Sequence, residues 1–546
     1  MKKTILTLVL FCCGFIGFAQ EPVEVVVTMK AQYDRIQLCR QADFYPTKAA
    51  RRDYVVNELK AFTKASQQDL MVTLNALEQQ GLVSSIHSLW SANAVHFTTT
   101  EEVVLALAER PDIESISPVK QYLCIPEEGM KQEYQPLYDY IAPNITKVQA
   151  NQVWELGFTG QGVVIAILDS GVNYNHMDLV DHLWDGGEEF PNHGYDIVNN
   201  DDDPMDDTGH GTHCAGTICG DGTAGIITGM APDATLMCVK CVDSNGYTTA
   251  PDLVRSMEWA VEHGCDAMSL SLGLAKAEPS VKELLRHTCE SILDVGIIAV
   301  TAVGNEGKYQ HLYPIPNNVR TPGNCPPPYL DPDQMENPGG LTCVLAVGAV
   351  NANDTAADFS SQGPVTWQNT ELFDYPLDTI NNLIGLIRPD VCAPGVDIWS
   401  LTYNHNNDYN VLSGTSQATP CVAGIVALLL SINPDLSPAV ICQILEETSV
   451  KLTPTKSNLT GIGRVDALAA ANAVLVWDAV NEAFDINHEE TDASDAFFQV
   501  IDMNGRMVSS RKGTNFNNTT ENLTPGLYVL RMISNNQVKT QKIVIR

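Results

Sequence analysis

Positive charge is scarce in this 546-residue chain: 32 Lys and Arg stand against 66 Asp and Glu, a formal net charge of −34 at pH 7. A polyanion would be repelled, which excludes nucleic acid as a partner. The acidic surplus favours solubility and leaves carboxylates available for calcium. Long apolar runs are scarce too. Residues 4–18 (TILTLVLFCCGFIGF) form one behind Lys2 and Lys3, but it is shorter than the ~20 residues a membrane span needs. With Ala19-Gln20 as a small-residue exit, residues 1–20 read as a cleaved signal peptide. A lipid anchor on Cys12 or Cys13 is the alternative, although Phe11 and Cys12 before them are not the small residues lipoprotein processing favours. Internal repeats are lacking. The 44% apolar and 18% charged composition is that of a globular chain, and length alone suggests about three or four domains.

The 15 cysteines do not make an even disulfide set. Two lie in the signal and two, Cys39 and Cys124, in the unit that follows it. The remaining 11 are an odd number, so at least one has no partner within the chain. Cys214, Cys392, Cys421 and Cys442 sit in apolar segments and read as small core residues. Export permits disulfides, and Cys325 with Cys343, flanking a Pro-rich loop, is the first candidate pair.

Residues 21–125 form the first globular unit. VEVVVTM (23–29) predicts a strand, Tyr54 to Glu78 a helix, and 84–99, 101–112 and 113–119 predict strand, helix, strand. Residues 126–146 are a Pro- and Tyr-rich linker. From Val148 to about Trp477, short runs that are apolar throughout (163–168, 235–242, 266–273, 296–304, 343–350) alternate with helical patterns. They imply a parallel sheet buried on both faces, with ligands bound outside the carboxyl ends of its strands. Residues 478–496 are an acidic linker. The remainder is all-β, with Asn504-Gly505 marking a hairpin.

Three segments carry reactive side chains in glycine-rich frames: Leu168-Asp169-Ser170-Gly171, Gly209-His210-Gly211-Thr212-His213 and Gly414-Thr415-Ser416-Gln417-Ala418-Thr419-Pro420. Asp, His and Ser are the parts of a hydrolase whose nucleophile is activated by a base. Together and in this order they resemble the subtilisin-like (subtilase) serine proteases. Phe359-Ser360-Ser361-Gln362-Gly363-Pro364 and Arg388-Pro389-Asp390-Val391-Cys392-Ala393-Pro394-Gly395 match two further signatures of that family. Gln417 stands where the family most often has Met.

The resemblance implies an α/β, three-layer subtilisin-like fold with a central parallel sheet. A small α+β propeptide would precede it and a small β-sandwich follow it. The implied domains are a propeptide at 21–125, a catalytic domain at 126–478, and a linker with a C-terminal domain at 479–546. It assigns Asp169, His210 and Ser416 as the catalytic triad, Asn305 of AVGNEG as the oxyanion-hole donor, and Ser271-Leu272-Gly273 as the strand that binds substrate backbone. No cofactor is required for that chemistry. Asp178 matches the aspartate of a structural calcium site, but its partner loop, GDGTAGIITG (220–229), departs from the family's calcium sequence. Asp201, Asp202, Asp203, Asp206 and Asp207 are a second candidate calcium cluster or a solvated loop. ANAVHFTTTEEVVLALAERPDIESISPV (92–119) resembles the family's inhibitory propeptide, which makes this chain's own first unit its inhibitor. The last 50 or so residues resemble the sorting domains of type IX secretion, implying the secretion machinery as partner and a path through periplasm and outer membrane. Protein or peptide would be the substrate. Two other readings stand beside this one: a zinc hydrolase using His210 and His213, and a binding protein on the same scaffold without turnover. The specificity pocket lies in loops that the sequence does not place, with 305–343 as the stretch that shapes it.

Overall fold

The computed structural model describes residues 22–125 (without 43 and 46), 140–326, 342–368, 374–378, 383–483, 497–502, 507–512, 526–534 and 537–545. The signal, the 126–139 stretch, residues 484–496 and the Asn504-Gly505 turn lie outside them; of the expected 478–496 linker, residues 478–483 belong to the helix Ala467–Ala483. A nine-stranded sheet organises the chain. Its order is Val450–Lys451, Gly463–Arg464, Val391–Pro394, Leu345–Val350, Ile298–Ala302, Ala267–Leu270, Val164–Asp169, Thr235–Lys240, Gly194–Asp196. All pairings are parallel except the first, at the Val450–Lys451 edge.

Each apolar run predicted from the sequence is a strand here. Successive residues of a strand point to opposite faces, and both faces are covered. Ile165, Ile167, Leu236 and Cys238 join the core under the helices His210–Cys219 and Thr415–Ile432. Ala166, Leu168, Met237 and Val239 join the core under Ala250–Glu262 and Pro279–Val295. This gives three layers, helix, sheet and helix. Thr415–Ile432 is long and apolar enough to cross a membrane by length and composition, but 89% of it is buried inside the protein. It is the central core helix.

The first unit is a four-stranded antiparallel sheet, ordered Val83–Leu89, Ala94–Thr99, Val23–Met29, Ile113–Pro118. Two of its features differ from expectation. The predicted 54–78 helix is two helices, Lys48–Ser66 and Gln68–Glu78. They part at Gln67, whose side chain turns inward to donate to Ala94 O and Asn93 Oδ1. The predicted 84–99 strand is a hairpin whose tip, Trp90 to Asn93, docks on the helix Ala250–Glu262. Ser91 N and Trp90 Nε1 each donate, at 2.7 Å, to Glu258 and Glu262. Arg35 pairs with Asp294 at 2.7 Å and Glu290 at 2.9 Å, and Lys60 with Glu262 at 2.8 Å. Val26, Leu89, Trp90 and Ala94 share one apolar cluster with Leu253, Met257 and Leu284.

The described cysteines are buried free thiols. Cys325 and Cys343 are neighbours as the sequence suggested, but unbonded, and the Cys325 thiol also contacts Cys289. The tail was expected to be a small sandwich. Its described strands form one antiparallel sheet, Met507–Lys512, Phe497–Asp502, Gly526–Ser534, Gln537–Ile545.

Candidate active site

Asp169 is the last residue of its strand. The chain then turns sharply at Gly171, whose φ of +102° favours glycine and whose missing side chain admits Pro204 O, 2.6 Å from a Cβ built there. A Cβ at Gly211 would lie 2.0 Å from Gly171 O. The glycines of two motifs are therefore required because the two loops touch. That contact sets His210, first residue of the helix His210–Cys219, against Asp169, with Nδ1 2.8 Å from Asp169 Oδ1. A carboxylate can only accept, so Nδ1 carries a proton in either charge state, and in the neutral imidazole Nε2 is the free base. Ser170 N donates to the same oxygen at 2.7 Å, while Asp169 Oδ2 is buried without a donor. Burial opposes a charged imidazole, but the Asp169 carboxylate and the Cys214 sulfur together raise His210 well above the ordinary 6.5.

Asp206 fixes this pair from behind. Its Oδ1 accepts from Ser170 Oγ at 2.9 Å and from Thr208 N and Gly209 N at 3.0 Å. Its Oδ2 accepts from Thr212 N at 2.9 Å and Thr212 Oγ at 2.6 Å. One buried carboxylate thus ties the loop after Asp169 to both sides of His210. In the sequence Asp206 was legible only as a member of an acidic run.

Ser416 is the second residue of the helix Thr415–Ile432. There, unpaired N–H groups and the positive end of the dipole stabilise a developing anion. Ser416 Oγ donates to Ser271 O at 2.7 Å, and Ser271 Oγ donates to Ser416 O at 2.9 Å. The Ser416 hydroxyl makes no hydrogen bond to His210 in this state. Asn305 accepts at Oδ1 from Thr415 N (2.9 Å) and Thr415 Oγ (3.1 Å). This fixes the amide orientation, and Nδ2, beside Gly414 at the helix start, keeps both donors unengaged.

Cys214, read from sequence as a core residue, lies against the site. Its Sγ is 3.4 Å from Ser416 O and 3.9 Å from His210 Nδ1. Asp169, His210 and Cys214 present ligand atoms within 4.8 Å of one another. Burial raises the Cys214 pKa and keeps the thiol protonated, the form that neither attacks nor ligates. His213 does not join a metal pair with His210. It faces Ile398 O at 3.1 Å, and burial and the neighbouring His210 push its pKa down to about 3.

The groove beside these groups is filled by the chain itself. Tyr122–Leu123 pairs antiparallel with Tyr247–Thr248, and the N–H groups of Cys124 and Ile125 reach Gly246 O at 2.9 and 3.2 Å. The backbone partners are thus 246–248, which the sequence did not single out. Of the expected strand, Gly273 borders the docked segment and accepts at its carbonyl from Cys124 Sγ at 3.5 Å, Leu272 is buried, and Ser271 binds Ser416.

Residues 160–463 match the model of the Subtilase family, more than half the chain. This chain belongs to the subtilase family. Residues 480–546 match the Secretion system C-terminal sorting domain. The chain is 31% identical over 340 residues to Serine protease AprX of Bacillus subtilis, covering 57% of this chain and 66% of that protein. It is 29% identical over 462 residues to Bacillopeptidase F of the same organism, covering 78% of this chain but 29% of that protein. It is 32% identical over 326 residues to Subtilisin DY of Bacillus licheniformis, covering 60% of this chain and 97% of that protein.

Members of this family commonly carry structural calcium, and in this subtilase Asp178 was the expected ligand. Its residues do not fit a cation there. Asp178 is fully buried; Oδ1 accepts from Ala224 N at 2.6 Å and Oδ2 from Tyr409 Oη at 2.8 Å. Hydrogen-bond donors stand where a cation would need oxygens. Burial raises the Asp178 pKa to about 6. The acidic run is likewise dispersed: Asp207 pairs with Lys240 at 2.9 Å, Asp203 accepts from Tyr174 Oη at 2.8 Å, and Asp206 is consumed as described. The Tyr409 phenol also accepts from Ile226 N at 2.9 Å, so it holds the 220–229 loop in the ion's place. Tyr409→Phe would leave two buried polar groups unpaired, each costing about 1–3 kcal/mol. A lowered melting temperature is expected for that variant, and no shift in wild type on adding a calcium chelator. A large chelator-induced drop together with an unaffected Tyr409→Phe variant would contradict this.

Proposed function

We propose that this subtilase is a secreted serine endopeptidase made as a self-inhibited precursor. The observation that carries the reading is the Asp169–His210 pair at 2.8 Å, with a helix-start serine and a pre-oriented asparagine amide beside it. His210 Nε2 takes the Ser416 proton as Oγ attacks the scissile carbonyl, and later returns it to the leaving amine. Asn305 Nδ2 donates to the oxyanion of the tetrahedral intermediate. Removing such a donor costs ~10²–10³ in turnover, the magnitude established for subtilisin, a member of the same family. Water then resolves the acyl-enzyme with His210 as base.

The segment 122–125 supports the precursor reading. It occupies the groove as an added antiparallel strand, the mode in which a peptide substrate is gripped by its backbone. The preceding unit is anchored to the catalytic helices by the ion pairs and apolar contacts above. In this state the Ser416 hydroxyl donates to Ser271 O; catalysis requires it to donate to His210 instead, a bond of the kind that forms or tightens on substrate binding. The unit 21–125 then acts as inhibitor until cut away between about 120 and 136. The tail addresses the protein through the type IX machinery across periplasm and outer membrane to the surface or medium.

A serine-directed organofluorophosphate tests this. We expect one covalent adduct per active molecule, located on Ser416 by mass spectrometry of the secreted protein. An unlabelled but folded and processed protein would favour the binding-protein reading.

A further inference from the structure

Beside the proposed oxyanion residue, the strands leading to Gly273 and to Gly304 flank a slot, and the slot is filled. A Cβ at Gly273 would meet Arg320 Cβ at 2.7 Å and Cδ at 3.5 Å. At Gly304 it would meet the Glu306 carboxylate first, then Arg320 Cγ at 2.8 Å and Cδ at 3.1 Å. The aliphatic stem of Arg320 therefore runs between the two glycines and takes the space their missing side chains leave.

Arg320 is held there at both ends. Its N–H donates to Val303 O at 3.0 Å, and its neighbour Thr321 exchanges two hydrogen bonds with Leu274, at 2.7 and 3.1 Å. Nε and Nη2 donate to Glu306 Oε1 at 2.9 and 2.6 Å. Nη1 donates to Gly273 O at 3.2 Å and to Cys124 O at 3.1 Å. Glu306, 5% exposed, is fixed in turn by Ser361 Oγ on Oε2 at 3.0 Å. Glu306 is buried, Arg320 keeps only 13% of its side chain exposed, and the pair is mutually neutralised and shared with main-chain carbonyls. This makes it a fixed wall.

Both strands abut the start of the helix that carries Ser416: Ser271 O accepts from Ser416 Oγ and Gly304 N donates to Thr415 Oγ at 3.2 Å, so the gap between them opens beside an acyl group on Ser416. We propose that Arg320, locked by Glu306, is the specificity-determining residue of the site, shortening the pocket so that it accepts small uncharged side chains: Gly, Ala, Ser or Cys. The proposal rests on the assignment of Ser416 and Asn305 above. Cys124, a small uncharged residue, lies at the edge of the slot, with its Sγ 3.5 Å from Gly273 O and its carbonyl on Arg320 Nη1. A large side chain would have to expel the stem and break the buried pair. An acidic one would meet a guanidinium already neutralised and with all three nitrogens engaged.

The test is kcat/KM on peptides that differ only in the residue before the scissile bond, Ala, Phe, Leu or Asp, with enzyme counted by organofluorophosphate titration. Pocket changes of a methylene already shift such ratios about 10–200-fold. Wild type is expected to favour Ala over Phe and over Asp by about tenfold or more. Arg320→Gly alone would leave Glu306 buried and unpaired, so it is combined with Glu306→Gln. The double variant is expected to raise the Phe:Ala ratio by about tenfold or more, whereas Arg320→Lys, which keeps the stem, retains the wild-type preference. A wild type that cleaves best after Phe, Leu or Asp overturns the proposal, as does a titratable double variant with an unchanged ratio. If the double variant does not titrate, the wild-type profile alone decides. A wild type that cleaves peptides without labelling at Ser416 would overturn the catalytic assignment instead.

Discussion

Ser416→Ala is expected to abolish peptide cleavage and organofluorophosphate labelling together, and to leave the 21–125 unit attached. Of the two hydroxyls in the first turn of the helix Thr415–Ile432 that the family frame brings to the site, the Thr415 hydroxyl is spent on Asn305 Oδ1, whereas Ser416 Oγ holds only Ser271 O. No neighbour replaces it. Cys214 is the nearest other nucleophile, but burial keeps its thiol protonated. The loss should be on the order of 10⁶ in kcat, the size known for subtilisin's own serine. Folding should survive, because the Oγ makes one hydrogen bond, to Ser271 O, and that carbonyl borders the groove. The measurements are peptide hydrolysis, labelling, and the N-terminal sequence of the secreted protein. Full activity, or normal removal of the first unit in the absence of other proteases, would refute the mechanism.

Asp169→Asn should cost ~10⁴ in kcat with little change in KM. An asparagine amide at this place can donate to Nδ1, which moves the imidazole proton to Nε2 and removes the base. The pH profile gives a second readout. In wild type the Asp169 carboxylate and the Cys214 sulfur together overcome burial and raise the His210 pKa. Catalysis needs the neutral form, so activity should rise only as pH passes above the ordinary imidazole range. The stability contribution of the pair has the opposite sign. It is fully present below the unfolded pKa and is lost as pH rises through the folded one. In the Asn variant the favourable charge is gone while burial remains, so the acid limb should move to lower pH. A limb unmoved by the substitution would show that another group controls it.

How far these conclusions were legible in the chain differs by element. The five apolar runs were readable as buried parallel strands because a sheet covered on both faces needs no polar alternation. Asp169, His210, Ser416 and Asn305 stood out because the frames around them resemble those of the subtilase family; a lone Asn305 in a turn would have carried no sign. Asp206 was not: an acidic run gives no sign of which carboxylate turns inward. Tyr409 and Arg320 were silent too, since neither acts on its neighbours in sequence: Tyr409 meets Asp178, 231 positions away, and Arg320 meets Gly273, 47 positions away.

Sequence by itself determined the family and the class of fold, and it pointed to the reactive side chains. Reactive side chains and the local frames that expose them are short-range properties, and burial on two faces is written in each strand. Tertiary structure alone decided what surrounds that chemistry. It put Tyr409 and Ala224 donors on the expected calcium ligand, turned Ser416 to Ser271 O, laid residues 122–125 along 246–248, and set Arg320 across the slot. These are contacts between segments distant in the chain, and their energy depends on which groups meet and what water they exclude. No local pattern records that until the chain has folded.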